Sequence, residues 1–477
     1  MELAVQTIHV MVWGPWTMAL FLTAGVWFTI RSGVFQLRGL PLWWRETAGS
    51  LWREGRHGGA QEEAGERVTA FQSACTALAA TIGTGNIVGV ATALTAGGPG
   101  ALFWMWVSAL IGMMTAYGET VLGQKYRYRR ADGRWMCGPM VYMERGLSCR
   151  PLGIFYAGLA VLSSLGMGSM VQSNSISGAL QSGAGISPWI SALAVTALTA
   201  LVILGGIGRI AKVAERLMPA AAGIYIMFSM IVILSFWDSI PAVLGGVLAD
   251  AWSPAAAGGG VSGFLMSRSV RYGMSRGVFS NEAGLGSMAV LHGAAEDTTA
   301  EKQGMWAMFE VFFDTMVICT LTALVILCVC REMGLPAGMD GAALAAWCFS
   351  ARLGCLGELL VSGAMAVFAF ATIIAWYYMG CQTAGYLQDA WQRGGTNRRK
   401  EAGNKSGTKR GNGAGNRNRS GSGGRLYMTV YLAAVFLGCV CRLELVWLLS
   451  DLWNGLMAYP NILALWLLSR QVTFPVI

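Results

Sequence analysis

Apolar runs of about 20 residues, each long enough to cross a lipid bilayer as a helix, follow one another along most of this chain. Only 12% of its 477 residues are charged. A soluble chain of this length would carry roughly twice that fraction. Within a bilayer the backbone must satisfy its own hydrogen bonds, which long apolar runs do as helices. The sequence therefore predicts an all-α polytopic membrane protein.

The number of apolar runs predicts about eleven transmembrane helices. The candidate spans cover residues 8–30, 69–95, 100–122, 152–182, 187–206, 217–237, 268–292, 303–333, 355–389, 426–446 and 447–469. With the first span set aside, ten remain as two sets of five. An odd number per set makes the second set enter the membrane from the opposite side. This arithmetic predicts a 5+5 inverted repeat preceded by one extra amino-terminal helix.

This division assigns each segment of the chain. Residues 1–68 hold the extra helix and a cytoplasmic loop, 69–237 the first repeat, 238–267 an extracellular loop, and 268–477 the second repeat. The basic segment 391–425 has ten Lys or Arg, one Glu and many Gly, Asn and Ser. That composition predicts a disordered cytoplasmic linker inside the second repeat. Attraction to anionic lipid or nucleic acid is the alternative, and no nucleic-acid partner is expected.

The distribution of Lys and Arg predicts the orientation in the membrane. These residues concentrate in alternate loops, at 31–67, 123–150, 209–216 and 391–425. Because cytoplasmic loops carry the excess of Lys and Arg, the amino terminus should lie outside and the carboxy terminus in the cytoplasm. The amino terminus has an acidic residue, Glu2, and no basic residue before the first span, and it has no small-residue cleavage signature. We expect a retained helix of the cell membrane there, not a signal peptide.

Two of the candidate spans contain helix-breaking clusters. The span 69–95 carries TIGTGNIVG (81–89), and the span 268–292 carries GVFSNEAGLGS (277–287). They are the first helices of the two sets of five. Interrupted spans at matching positions of two halves point to the binding site of a transporter. The sequence thus predicts two discontinuous helices that together form a site.

Unwound backbone can bind ions of both signs. Its free N–H groups favour an anion, and its free C=O groups suit a hard cation such as sodium. An amino-acid zwitterion accompanied by sodium satisfies both. The alternative is that the glycines only let helices pack closely. It does not account for the polar residues within the clusters, namely Asn86, Ser280, Asn281 and Glu282.

Several motifs resemble one known family in the correct order. They include TALAATIGTGNIVGVATALTAGGPGALFWMW (76–106), GPMVYMERGL (138–147), VQSNSI (171–176), SRGVFSNEAGLGS (275–287), FFDTMVICTLTALVIL (312–327), FAFATIIAWYY (368–378) and DLWNGLMAYPNILALWLLS (451–469). The chain is similar to the alanine or glycine:cation symporters, which have a LeuT-like fold. The resemblance implies sodium-coupled import of small neutral amino acids by alternating access.

The resemblance also implies a set of substrate-binding residues. The substrate carboxylate is expected at Thr84, Gly85 and Asn86, and its amino group near Gln172. The pocket walls are expected to be Phe279, Ser280 and Trp376. Bulky Phe and Trp side chains leave room for little more than a methyl group. This favours alanine or glycine over leucine.

A sodium site is implied between the first broken helix and the eighth helix of the repeat. Its expected ligands are carbonyl groups near Thr81 and Ile82 and the hydroxyl of Thr372. The family usually has two consecutive hydroxyl residues here, whereas this chain has Ala371 before Thr372. The departure puts one sodium ligand in question.

Three acidic residues are expected within or at the edge of spans, where ionisable groups usually serve a function. Glu282 and Asp314 could bind sodium, carry a proton or order a helix junction. Proton coupling through either of them, or another small amino acid as substrate, is the main alternative function. Glu119 is expected to cap its helix or to pair with Arg127. His292 is expected to be a packing or surface residue.

Other classes of protein lack support in the sequence. A polytopic membrane enzyme would need convergent acid–base or metal-binding groups, but the chain has only His9, His57 and His292, none near a cluster of suitable spacing. The motif GxxxxGK[ST] of ATP-binding loops is absent from the sequence. Sodium is the expected co-transported cation, no other cofactor is expected, and the expected partners are the amino acid and membrane lipid. No obligate protein partner is expected.

Overall fold

Helices make up most of the structure, a computed structural model that describes residues 12–50, 68–130, 133–252, 268–296, 298–406, 420–441 and 444–475. The first half contains α1 (Pro15–Arg31), α2 (Phe35–Arg38), α3 (Leu40–Glu46), α4 (Ala70–Thr81), α5 (Val88–Gly97), α6 (Ala101–Tyr126), α7 (Pro139–Arg145), α8 (Arg150–Leu165), α9 (Gln172–Ala184), α10 (Pro188–Ile203), α11 (Gly206–Ser235) and α12 (Ile240–Ala251). The second half contains α13 (Arg268–Asn281), α14 (Ser287–Leu291), α15 (Ala300–Val311), α16 (Thr320–Met333), α17 (Gly341–Leu353), α18 (Cys355–Ser406), α19 (Ser420–Val440) and α20 (Glu444–Leu468). A small antiparallel ribbon pairs β1 (Tyr128–Arg129) with β2 (Trp135–Met136).

Five helical segments of the described chain are long and apolar enough to cross a bilayer. They are Ala101–Tyr126, Arg150–Ala184, Gly206–Ser235, Ala300–Met333 and Cys355–Arg393, and the bent pair α4–α5 makes a sixth. Other candidates from the sequence are shorter helices, such as Pro188–Ile203 and Gly424–Val440. At 1.5 Å per residue, a helix of 16 residues is about 24 Å long, less than the ~30 Å hydrocarbon core. The total of eleven and the inverted repeat stay predictions.

The two interrupted helices lie inside the bundle. The long helix α6 packs against both α13 and α15, and α5 packs against α13. Helix α4 packs against α11, α15 and α18. Most of the residues of both interruptions are buried. The fold therefore brings the two polar, glycine-containing segments to the centre of an otherwise apolar core.

Two segments that the sequence assigned to loops are partly helical. Helix α18 continues to Ser406 and α19 begins at Ser420, so helix extends into both ends of the basic segment 391–425. The disordered linker stays a prediction. Propagation adds one hydrogen bond per residue, which lets a packed helix extend into a polar sequence. Residues 407–419 lie outside the described part. In the segment 238–267, α12 is a helix of 12 residues, and residues 253–267 are likewise outside it.

The contact between α6 and α13 requires a glycine at position 273. A Cβ atom there would meet the Ala101 carbonyl oxygen and lie 2.7 Å from the Cβ of Trp104. We expect Gly273→Val to lower the apparent unfolding temperature of the detergent-solubilised protein, because overpacking a core costs roughly 1–3 kcal/mol. The matched control is Gly178→Val on α9, where a Cβ would meet nothing within 4 Å. Equal unfolding temperatures of the two variants would contradict this packing.

Candidate functional site

The first break separates α4 from α5. Helix α4 ends at Thr81, Ile82 and Gly83 leave the helix, and Thr84–Asn86 form a single 3₁₀ turn before α5. The two halves are bent by 59°. The Oδ1 atom of Asn86 accepts a hydrogen bond of 2.9 Å from the backbone N–H of Gly83. The predicted discontinuity in this helix is present, and a side chain within the break stabilises it.

The second break separates α13 from α14. Helix α13 continues through Phe279 and Ser280 to Asn281, so the break falls in the later part of the predicted motif. Glu282 has φ of 55°, and Gly284 has φ of 97°. Positive φ is a conformation that glycine tolerates and that is uncommon for glutamate. The backbone of the second break therefore leaves the helical conformation at an acidic residue.

Asp314 is bonded to the first break and to the end of the helix that precedes the second. It lies on a π-helical segment, Phe312–Cys319, between α15 and α16 and is fully buried. Its Oδ1 accepts from Asn86 Nδ2 at 2.6 Å, and its Oδ2 accepts from Ser280 Oγ at 2.7 Å and from the adjacent Thr315 Oγ1 at 2.9 Å. Hydrogen bonds to a charged acceptor are among the strong ones. A single carboxylate thus connects the two interrupted helices.

Glu282 and Glu119 lie at the second break. The Oε1 atom of Glu282 accepts from the indole N–H of Trp376 at 3.1 Å. Glu119 accepts from Asn461 Nδ2 at 2.5 Å, and the same nitrogen donates to the carbonyl of Gly284 at 2.9 Å. Both glutamates are fully buried.

The expected pairing of Glu119 with Arg127 is wrong. Arg127 donates instead to the carbonyl oxygens of Gly293, at 2.9 Å, and Ala295, at 2.5 Å. The two residues are eight positions apart, which is about 12 Å along a helix and too far for a side-chain pair. Glu119 is therefore a neighbour of the second break and not of the helix end.

Glu310 is a buried polar residue that the sequence analysis missed. Its Oε1 accepts from Thr81 Oγ1 at 3.1 Å, and its Oε2 lies 2.9 Å from Nε2 of His292. His292 is fully buried and hydrogen-bonded on both ring nitrogens, because its Nδ1 lies 2.6 Å from Gln303 Nε2. The available signal was spacing: Glu310 precedes Asp314 by four residues, so both lie on one helix face.

The residues expected to bind sodium lie beside the first break. Thr81 and Ile82 are at the carboxy-terminal end of α4, where the last four carbonyl groups of a helix lack intrahelical partners. The Thr372 hydroxyl donates to Phe368 O at 3.0 Å, and a Cβ on Gly83 would lie 2.8 Å from that hydroxyl. The oxygen atoms present suit a hard monovalent cation. No cluster of three His, Cys, Asp or Glu suited to a metal occurs in the described residues.

A cavity of about 420 Å³ opens along α5 from the first break. Three of the expected substrate residues line it: Thr84, Gly85 and Phe279. Gln172 lies next to them, since Thr84 Oγ1 donates to its Oε1 at 3.4 Å. The side chains of the remaining three point to acids, Asn86 and Ser280 to Asp314 and Trp376 to Glu282. The first break therefore forms part of the cavity wall.

Known proteins resemble the chain over nearly its full length. A sodium/alanine symporter, AgcS of Methanococcus maripaludis, is 37% identical over 98% of this chain and 95% of its own length. A probable sodium/glutamine symporter, GlnT of Bacillus subtilis, is 34% identical over 97% of this chain and 87% of its own. The fold resembles that of a solved sodium-coupled sialic acid symporter, with a TM-score of 0.58, 13% identity, and coverage of 96% of this chain and 86% of the other.

The family comparison agrees with these relatives. The sodium:alanine symporter family matches residues 1–397 and 417–475. The relatives are transporters, and the apolar helices make the chain an integral membrane protein. The chain is accordingly a transporter and not an enzyme, and it belongs to the sodium:alanine symporter family.

Proposed function

We propose that this transporter imports alanine, glycine or both together with sodium by alternating access. The observation that carries the proposal is the position of Asp314, which bonds to Asn86 of the first break and to Ser280 at the end of α13. The two interrupted helices therefore meet beside one cavity, whose lining includes Thr84 and Gly85 of the first break and Phe279 of α13. Free backbone groups of opposite polarity at such a place suit a zwitterion and a cation.

The substrate carboxylate would bind at the opened backbone of Thr84, Gly85 and Asn86. Backbone N–H groups at the start of α5 carry the partial positive charge of a helix amino terminus. The side-chain oxygen of Gln172 lies beside Thr84 and would accept from the substrate amino group. Phe279 borders the same cavity, and its ring would limit the size of the substrate side chain. Ser280 and Trp376 would complete the wall when the cavity closes.

Sodium would bind to the carbonyl groups of Thr81 and Ile82 and to the hydroxyl of Thr372. The close approach of Thr372 to Gly83 supports this grouping, because it brings a hydroxyl from α18 to the end of α4. Movement of one positive charge inward across 100 mV supplies about 2.3 kcal/mol. That energy alone favours roughly fiftyfold accumulation of substrate, since 1.4 kcal/mol is a factor of ten.

We also propose the predicted topology in the cell membrane, with the amino terminus outside, the carboxy terminus in the cytoplasm and eleven spans as 1+5+5. Basic residues near the cytoplasmic side of this topology support it, because their ion pairs connect the loop 123–150 with the later part of α18. Arg130 pairs with Asp389 at 2.7 Å, and Arg393 pairs with Glu144 at 3.1 Å. In this arrangement the basic segment 391–425 is cytoplasmic. Membrane lipid is the only other partner that the proposal requires.

Proton coupling, or a different small amino acid, is the alternative. Glu282 and Asp314 are buried acids at the two breaks, as a proton carrier would have to be. One relative is named a probable sodium/glutamine symporter, so alanine is not the only amino acid for which relatives are named. A larger substrate would fit the open cavity, which Trp376 does not line.

Uptake of labelled alanine and glycine into proteoliposomes distinguishes these functions. We expect uptake that needs an inward sodium gradient and that is competed by the other small amino acid. Uptake driven by a pH gradient and indifferent to sodium would contradict sodium coupling. Competition by glutamine but by neither alanine nor glycine would contradict the substrate assignment.

A further inference from the structure

Helices α4 and α14 lie side by side at one end of the two broken helices. The Ser73 hydroxyl on α4 donates to the carbonyl of Leu291 on α14 at 2.8 Å. Just before and after these helices, Val68 and Ala295 form a parallel β-bridge. These halves of the two broken helices are therefore in direct contact, in addition to the link through Asp314.

Glu310 adds a buried connection between the same two halves. It accepts from Thr81, the last residue of α4, and contacts His292, the residue that follows α14. All four side chains of this cluster, Thr81, Glu310, His292 and Gln303, are at most 4% exposed. The proposed substrate and sodium contacts do not use Glu310 or His292.

The hydrogen-bond network holds each side chain of the cluster between two partners. Gln303 bonds to Nδ1 of His292 and Glu310 bonds to Nε2, so both ring nitrogens have a partner. The two oxygens of Glu310 likewise have separate partners, one Thr81 and the other His292. This arrangement fixes the orientation of the carboxylate and, through it, of Thr81.

Position supports a connection between this cluster and a cation. Thr81 is the last residue of α4, and its hydroxyl donates to Glu310, so the carboxyl group of Glu310 lies next to the end of α4. No Lys or Arg in the described part of the chain forms an ion pair with Glu310. A sodium ion at the carbonyl groups of Thr81 and Ile82 would therefore lie at the residue that Glu310 holds.

We propose that Glu310 is a positioning residue of the sodium site, which it joins to α14 through His292. It acts on sodium through Thr81 and does not contact the amino acid. The inference rests on the sodium site proposed above. Sodium binding at the end of α4 should therefore stabilise the contact between α14 and α4. That contact should in turn strengthen sodium binding, because coupling between two sites is reciprocal.

The test compares the sodium dependence of uptake with its alanine dependence in proteoliposomes. In Glu310→Gln we expect the sodium concentration for half-maximal uptake to rise about tenfold, while KM for alanine at saturating sodium changes less than twofold. His292→Ala removes the hydrogen-bond partner of Glu310 and should raise the sodium requirement. His292→Gln keeps a side chain that can hydrogen-bond to Glu310 and should restore most of the wild-type value. The matched control is Glu358→Gln on the exposed first turn of α18, with no expected change.

A binding measurement without alanine gives a second readout. Sodium should raise the unfolding temperature of the detergent-solubilised protein, and Glu310→Gln should need about tenfold more sodium for the same increase. A purely structural role would lower the unfolding temperature without changing its sodium dependence. If Glu310→Gln does not fold, the two His292 variants provide the same comparison.

The outcomes separate the two proposals. Sodium dependence in Glu310→Gln equal to wild type, in uptake and in unfolding, would overturn the role of Glu310 alone. A parallel rise in the sodium requirement and in KM for alanine would also overturn it. Wild-type uptake that ignores sodium would overturn the proposed function, and the positioning role would fall with it.

Discussion

Replacement of Asp314 by alanine is expected to reduce sodium-driven alanine uptake at least a hundredfold while the protein still reaches the membrane. The variant removes the carboxylate that Asn86 and Ser280 share. The two side chains keep only longer contacts, with Cys319 Sγ at 3.4 and 3.3 Å and, for Asn86, with the backbone carbonyl of residue 314 at 3.4 Å. A buried donor left without its acceptor costs about 1–3 kcal/mol. Because 1.4 kcal/mol corresponds to a factor of ten, two such donors account for a loss of about a hundredfold. Initial uptake rates in proteoliposomes, normalised to the amount of reconstituted protein, measure the effect.

Two further variants make the Asp314 test specific. Asp314→Asn keeps one acceptor oxygen, so we expect its uptake to lie between wild type and Asp314→Ala. Asp238→Asn, at an exposed position before α12, is the control for loss of an acid elsewhere and should resemble wild type. Transport by Asp314→Ala within threefold of wild type would show that the two breaks do not depend on this carboxylate.

Leucine at position 85 is expected to abolish uptake because Gly85 lines the cavity and the leucine side chain would occupy part of it. A Cβ on Gly85 would lie 3.5 Å from Phe279, an ordinary contact distance, so the first carbon of a side chain fits. The branched end of leucine would extend into the space assigned to the substrate. We therefore expect partial uptake from Gly85→Ala and a loss of at least a hundredfold from Gly85→Leu, measured as alanine uptake per reconstituted transporter.

The control for Gly85→Leu is Gly158→Leu on α8, where a Cβ would meet nothing within 4 Å. It introduces the same side chain into a helix without filling the cavity and should keep wild-type uptake. Gly85→Leu should still be monodisperse in detergent, which separates a blocked site from a misfolded protein. Normal uptake by Gly85→Leu would place the substrate elsewhere.

Several parts of the site are predictable from local sequence because their chemistry is local. Glycine clusters with polar neighbours inside apolar spans predicted both breaks, and both are present. Thr84 and Gly85 border the cavity because they lie within the first break, and Phe279 borders it from α13, two residues before this helix ends. Helix-breaking residues act on their own backbone, so their effect can be deduced without knowledge of the fold.

The polar partners were not predictable because they are distant in sequence. Asn86 and Asp314 are 228 residues apart, and Thr81 and Glu310 are 229 apart. Nothing in either segment indicates which acid receives which donor. Glu310 also lies among Met, Trp and Phe residues, where hydropathy hides a single acid. The pairing of Glu119 with Arg127 failed for the opposite reason, since closeness in sequence suggested a contact that helix geometry forbids.

The bond between Asn86 and Asp314 also bears on how the protein is made. Ribosomes add roughly 5–20 residues per second, so the 228 residues between these partners take about 10–50 s to synthesise. Throughout that interval the first break has emerged without its acceptor, although unsatisfied polar groups in hydrocarbon cost several kcal/mol each. Water or the insertion machinery must satisfy them until the π-helical segment arrives. The centre of this transporter is consequently completed late in its biogenesis, after most of the helices around it have been made.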